Sequence, residues 1–115
     1  MKRAIKRGDV YWVNLDRPFG KRPAVIIQND IGNKVAPSVI VVAITSVVIA
    51  RSYPTDVLLP DGLLPKKNSR VLAANIYTID KQQVEDYITT LSQDVMGQVD
   101  SALMASLDLE KYTRP

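Results

Sequence analysis

Short β-branched runs cut apart by turn residues make up nearly the whole chain, and helical periodicity is confined to its end. From Asp9 to Leu15 the side chains alternate, with Val10 and Trp12 on one face and Tyr11, Val13 and Leu15 on the other, which predicts a strand. Ala24-Val25-Ile26-Ile27-Gln28 is a continuous apolar run, predicting a strand covered on both faces. Further strands are expected over Ser38–Ile44, Thr55–Leu59, Ser69–Asn75 continuing through Tyr77–Ile79, and Tyr87–Leu91. Asp16-Arg17-Pro18-Phe19-Gly20, Asn29 to Asn33, Pro60-Asp61-Gly62 and Lys66-Lys67-Asn68 carry the turn chemistry between them. Asp80 with Gln83 three residues on predicts a capped turn.

One helix is expected after Ser92, which suits an N-cap, with Asp94 in the first turn. Val95, Met96, Val99, Ala102, Leu103 and Leu107 recur at helical spacing, so one stripe faces a core or a partner. Gly97 interrupts the helix at a cost of about 1 kcal/mol relative to alanine, pointing to close packing or to simple tolerance. Many short strands with one closing helix argue for a small, strongly bent antiparallel β-barrel carrying a packed C-terminal helix, as a single domain over residues 1–115. No apolar run approaches the roughly 20 residues that span a bilayer. The basic start MKRAIKRGD lacks the apolar segment of a secretory signal, and with no cysteine the chain fits a reducing cytoplasm.

The chain also has no histidine. The commonest general acid/base, the commonest transition-metal ligand and thiolate chemistry are therefore all missing, so any catalysis must proceed without them, and no cofactor or metal site is expected. Charge is unevenly spread. Residues 1–79 hold 12 Lys/Arg against 5 Asp/Glu, whereas residues 80–115 hold 3 against 7. A polyanion would be drawn to one part of the molecule.

Several residues are candidates for such a surface. Arg22 precedes Pro23 at the entrance to an apolar strand, so its backbone is held extended and its guanidinium is suited to a two-point grip on phosphate. Thr45 and Ser46 close the Ser38–Ile44 run, where a hydroxyl can donate to a phosphate oxygen. Phe19 in a Pro-Phe-Gly turn, Asn75 and Tyr77 are groups of the kind that stack and read single-stranded RNA, although Phe19 equally suits a hydrophobic plug and Tyr77 is more often core or sheet surface. Lys2, Arg3, Lys6 and Arg7, with Lys66, Lys67 and Arg70, form two basic sets able to contact phosphates, although an N-terminal cluster more often stays solvated.

The order of these parts resembles the MazF/PemK toxin endoribonucleases. RGDVYWVNLD (Arg7–Asp16), KRPAVIIQNDIGN (Lys21–Asn33), PSVIVVAITS (Pro37–Ser46), YPTDVLL (Tyr53–Leu59), VLAANIYTIDKQQV (Val71–Val84) and the closing helix look like successive family blocks across nearly the whole chain. The resemblance implies an SH3-like β-barrel with a C-terminal helix. It also implies a cytoplasmic homodimer that cuts single-stranded RNA at short sequences without a metal, held in check by an antitoxin with an acidic tail. The family's catalytic arginine and threonine match Arg22 and Thr45, and Phe19, Lys21, Ser46, Asn75 and Tyr77 are then expected to bind the RNA.

RNA supplies its own nucleophile, the adjacent 2′-OH. The enzyme must align it, neutralise charge and move a proton, which implies 2′,3′-cyclic phosphate and 5′-OH ends. Arginine is almost wholly protonated at neutral pH, so either its site changes that or water or another group takes the proton.

Two departures from the family bear on the cleavage sequence and the rate. Only Arg17-Pro18-Phe19-Gly20 stands between Asp16 and Lys21, where many members carry a longer insert with a glutamate. Asn75 and Tyr77 stand where many relatives place glutamine and a basic residue. Other activities remain open at this point: the same barrel serves gyrase-binding toxins that act through their last residues, and the shortened loop also suits an inactive RNA- or antitoxin-binding member.

Overall fold

A computed structural model describes residues 3–46 and 52–109. The strands are β1 (Asp9–Asn14), β2 (Lys21–Ile26), β3 (Ser38–Thr45), β4 (Asp56–Leu58), β5 (Arg70–Asp80) and β6 (Val84–Thr90), with helices α1 (Asp30–Val35) and α2 (Gln93–Leu107). They form one antiparallel sheet in the order β4-β5-β3-β2-β1-β6. A six-stranded antiparallel sheet with a C-terminal helix is the class expected from the alternating runs and the closing helical stripe.

Alternation sorts the apolar residues into two clusters. Val10, Val25 and Val42 are successive partners across β1, β2 and β3, and they pack with Val57, Val71 and the α2 residues Val99, Ala102 and Leu103. Their neighbours Tyr11, Val13, Ala24, Ile26, Val39, Val41 and Ile79 form the second cluster. Ala24, Val25 and Ile26 are fully buried in consecutive positions, as an apolar run covered on both faces requires.

Ser92 caps α2 by accepting from the Val95 N–H, and most of the helical stripe packs inward, but Leu107 at its end is exposed. Space is open where a side chain at Gly97 would lie, so this glycine is tolerated rather than required. Gly8 differs: its φ of +93° suits glycine, and its N–H and C=O tie the Ile26 carbonyl to the Leu91 amide ahead of β1.

Three local expectations change. The Asn29–Asn33 turn is the start of α1: Asn29 Oδ1 accepts from Gly32 N at 2.8 Å and caps a six-residue helix. Asn and Asp favour caps and turns for the same hydrogen-bonding reason, and six residues are too few to display a helical period. β6 begins at Val84, three residues before the expected Tyr87, carried by its pairing with β1. β2 begins at Lys21, so Arg22 and Pro23 lie inside the strand, opposite Val13 and Trp12. The β2–β3 ladder covers only Ala24 to Ile26, which leaves Pro23, lacking an N–H, just beyond its last rung.

Candidate active site

The β1–β2 hairpin delivers the first half of the site. Its short loop closes on itself, with Leu15 N donating to Gly20 O at 2.9 Å and Gly20 N to Asp16 O at 2.7 Å. Asp16 and Gly20 take φ of 62° and 66°, conformations that Asp tolerates and glycine adopts freely. This geometry leaves Phe19 at the tip, 46% exposed, with its ring edge-on to Tyr77 of β5 at 6.0 Å between centroids. It also turns the Phe19 carbonyl onto Arg22, whose Nε donates to it at 3.2 Å. The loop has no glutamate, and a backbone oxygen orients the guanidinium instead.

The second half comes from β3 and β5. Thr45 is the last residue of β3, with Ser46 beyond it. Pairing with β5 steps from Val42↔Ile76 to Ala43↔Leu72, so the three residues Ala73 to Asn75 bulge out of the ladder beside the β3 end. The bulge brings Asn75 to the same place as Tyr77.

Two adjoining clefts result. A larger one of about 470 Å³ is lined by Trp12, Lys21, Pro23, Ser46, Leu64 and Lys66 among others, and a smaller one of about 140 Å³ by Ala43, Leu72, Asn75 and Tyr77. Phe19, Arg22, Ile44 and Thr45 line both. The seven residues expected to cut or bind RNA, Phe19, Lys21, Arg22, Thr45, Ser46, Asn75 and Tyr77, all line these clefts, with Arg22 and Thr45 on the divide. Sequence reasoning missed Trp12, Leu64, Pro65 and Ser69 in the larger cleft. A signal existed for Trp12 alone, since alternation sets it on the face opposite Tyr11 and Val13.

The two basic sets fare differently. Lys66 lines the larger cleft, but Arg70 is buried and paired with Asp56 at 3.6 Å, so it is not available at a loop tip. Lys2 lies outside the described residues. Arg3 pairs with the buried Asp9 at 3.6 Å and lies 4.0 Å over the Tyr87 ring. Arg7 donates to Ile27 O at 2.8 Å and to Asp100 at 2.7 Å, joining the end of β2 to α2. These arginines hold the fold together. Lys21 meets Glu85 at 3.0 Å, an exposed pair that a stronger anion can displace. Among the described residues no group of three or more carboxylates could hold a metal ion, and no helix is long and apolar enough to cross a membrane.

Residues 6–107 match the family described as PemK-like, MazF-like toxin of type II toxin-antitoxin system. The chain belongs to that family. It is 41% identical over 111 residues to Endoribonuclease EndoA of Bacillus subtilis, covering 91% of this chain and 96% of that one. An endoribonuclease from a mycobacterial species, solved in complex with its cognate antitoxin, superposes with a TM-score of 0.80 at 31% identity, covering 92% of this chain and 97% of its own. A MazE–MazF complex from Deinococcus radiodurans does so with a TM-score of 0.74 at 26% identity, covering 92% and 97%. The toxin's fold is thus that of the MazF proteins, and its hairpin, β3 end and β5 bulge are the local features that build the two clefts.

Proposed function

We propose that this toxin is an endoribonuclease that cuts single-stranded RNA, in particular mRNA, at short sequences, with the scissile phosphate held between Arg22 and Thr45. The observation that carries the reading is that these two residues, 23 positions apart in the chain, line both clefts together. A strand lying across them would set one nucleotide in each cleft and its phosphate on the divide.

In this mechanism the 2′-OH attacks phosphorus and the P–O5′ bond breaks, the 2′ proton passing to water or another group and the leaving 5′-oxygen taking one back, which gives a 2′,3′-cyclic phosphate and a 5′-OH end without a metal. Arg22 stabilises the charge that builds on the phosphoryl oxygens, and its preset contact with the Phe19 carbonyl lowers the cost of aiming it. Thr45 donates to a non-bridging oxygen. Phe19 and Tyr77 offer stacking faces, Asn75 reads a base edge, and Lys21, Ser46 and Lys66 fix the backbone.

The natural counterpart is an antitoxin whose acidic tail occupies the same cationic clefts and excludes RNA by competition. Solved relatives captured with an antitoxin support that partner. The working form is a cytoplasmic homodimer with RNA running across the subunit interface, in line with the family resemblance.

The deciding experiment incubates the purified protein with a long single-stranded RNA in EDTA, wild type beside Arg22→Ala, with cuts mapped by primer extension. Discrete cuts with cyclic phosphate ends that vanish in the variant are expected. Intact RNA from a folded wild type would replace the nuclease reading with a binding one.

A further inference from the structure

The hairpin loop that aims Arg22 is itself anchored from a distant element, and the anchor is one side chain. Gln83 closes the 3₁₀ turn Lys81–Gln83 between β5 and β6. Its Oε1 accepts from the Asp80 N–H at 2.8 Å, which fixes which way the amide faces. Its Nε2 then donates to Asn14 O at 2.7 Å and to Asp16 Oδ2 at 3.3 Å, at the base of the loop. From Asp16 the path continues through its carbonyl to Gly20 N at 2.7 Å, and from the loop tip through Phe19 O to Arg22 Nε at 3.2 Å. The Phe19 ring meets that of Tyr77 in β5, six residues before Gln83 in the chain.

We propose that Gln83 is a positioning residue for cleavage, which holds the Asp16–Gly20 loop so that the Phe19 carbonyl presents the Arg22 guanidinium to the phosphate. The need arises because the one carboxylate of this loop, that of Asp16, accepts from Gln83 Nε2 at 3.3 Å, while the Arg22 Nε–H is met by the Phe19 carbonyl. A neutral carbonyl is a weaker acceptor than a carboxylate, so it orients the guanidinium only while the loop itself stays in place. Asp16 and Gly20 both take left-handed backbone conformations, which the loop keeps through the hydrogen bonds at its base. Gln83 lines neither cleft, and its hydrogen-bond partners are Asp80, Asn14 and Asp16, so its effect is exerted through the loop.

This inference rests on the nuclease reading, and the test separates the two. Gln83→Met keeps the side-chain length and removes the donor. Its kcat for RNA cleavage is expected to fall about 10- to 100-fold, the range a misplaced catalytic group produces, with KM within about 2-fold of wild type. In ¹⁵N-labelled protein the Arg22 Nε–H resonance, identified by its loss in Arg22→Lys, should shift or broaden in Gln83→Met. That readout does not depend on cleavage.

Gln83→Glu supplies a pH signature. As a carboxylate it faces the Asn14 carbonyl and the Asp16 carboxylate and cannot donate; protonated, it can. Its activity relative to wild type should therefore rise as pH falls from 7.5 toward 5. Wild-type kcat with an unmoved Arg22 signal in Gln83→Met, or a pH-independent ratio in Gln83→Glu, overturns the proposal. If the wild type leaves RNA whole, the nuclease reading fails, and an unmoved Arg22 signal then overturns the positioning role as well.

Discussion

Arg7 and Arg22 stand at opposite ends of the β1–β2 hairpin, and each donates its Nε to a backbone carbonyl, of Ile27 and of Phe19 respectively. There the likeness ends. Arg7 gives a terminal nitrogen to Asp100 of α2 and is consumed by the fold. Among the described residues Arg22 has no ion pair, and its guanidinium lines the two clefts. A guanidinium held along one edge by a neutral acceptor keeps its charge for a ligand, whereas one matched to a carboxylate has spent it. In the sequence Pro23 and the apolar strand after it single out Arg22, but that Arg7 is tied into the fold is seen only from its partners.

Substitutions at the two ends should break along that line. Arg22→Ala should lower cleavage by at least about 10²- to 10³-fold, the range for removing one transition-state donor, with a melting temperature close to wild type. Substantial residual cutting in a primer-extension assay would remove Arg22 from the mechanism. Thr45→Val preserves shape and deletes the hydroxyl, and should slow single-turnover cleavage about 10- to 150-fold, as for loss of a hydrogen bond to a charged group. Phe19→Ala should weaken RNA binding by about 1–3 kcal/mol, the value of one stacked base, read by titration onto an uncleavable 2′-deoxy substrate.

At the other end, Arg7→Ala should leave cleavage intact at low temperature and reduce unfolding free energy by about 1–2 kcal/mol. Most of that should come from the orphaned Ile27 carbonyl, since the Asp100 pair is one-third to one-half exposed and screened. Urea melts of the variant beside Asp100→Asn would apportion the two.

The smallest effect concerns Asp30, whose carboxyl lies below its ordinary value of 3.8 because it accepts from the Arg7 backbone N–H and then from Asn33. A depressed folded value means its stabilisation is fully present above about pH 4 and is lost as pH falls through the folded value. The stability gap between wild type and Asp30→Ala should therefore shrink in urea melts taken from pH 5 down to pH 2. A gap that stays constant would dissociate Asp30 from the acid limb.

The candidate site was legible residue by residue but not as a shape. Arg22, Thr45 and Phe19 could be singled out because each sits where a strand meets a turn, a position readable from local pattern. Leu64, Pro65 and Ser69 could not, because a cleft wall is formed by chain segments far apart in sequence, and for Trp12 the only signal was its face on β1. The bulge at Ala73 to Asn75 was invisible for a related reason: it exists only relative to the β3 register. Asn29 misled because one residue type serves both turns and caps.

By itself the sequence determined the strand order along the chain, the closing helix with its Ser92 cap, the absence of histidine and cysteine chemistry, and the residues worth testing. These are local properties, set by backbone preference and by alternation of apolar side chains. Tertiary structure alone decided which arginines are spent and which are kept, and that a carbonyl, rather than a carboxylate, orients Arg22. It also decided that Gln83 reaches back across 67 residues to Asp16 to steady the loop. A side chain's electrostatic environment depends on what the fold brings within about 3–4 Å of it, and no local pattern in the chain encodes that neighbour.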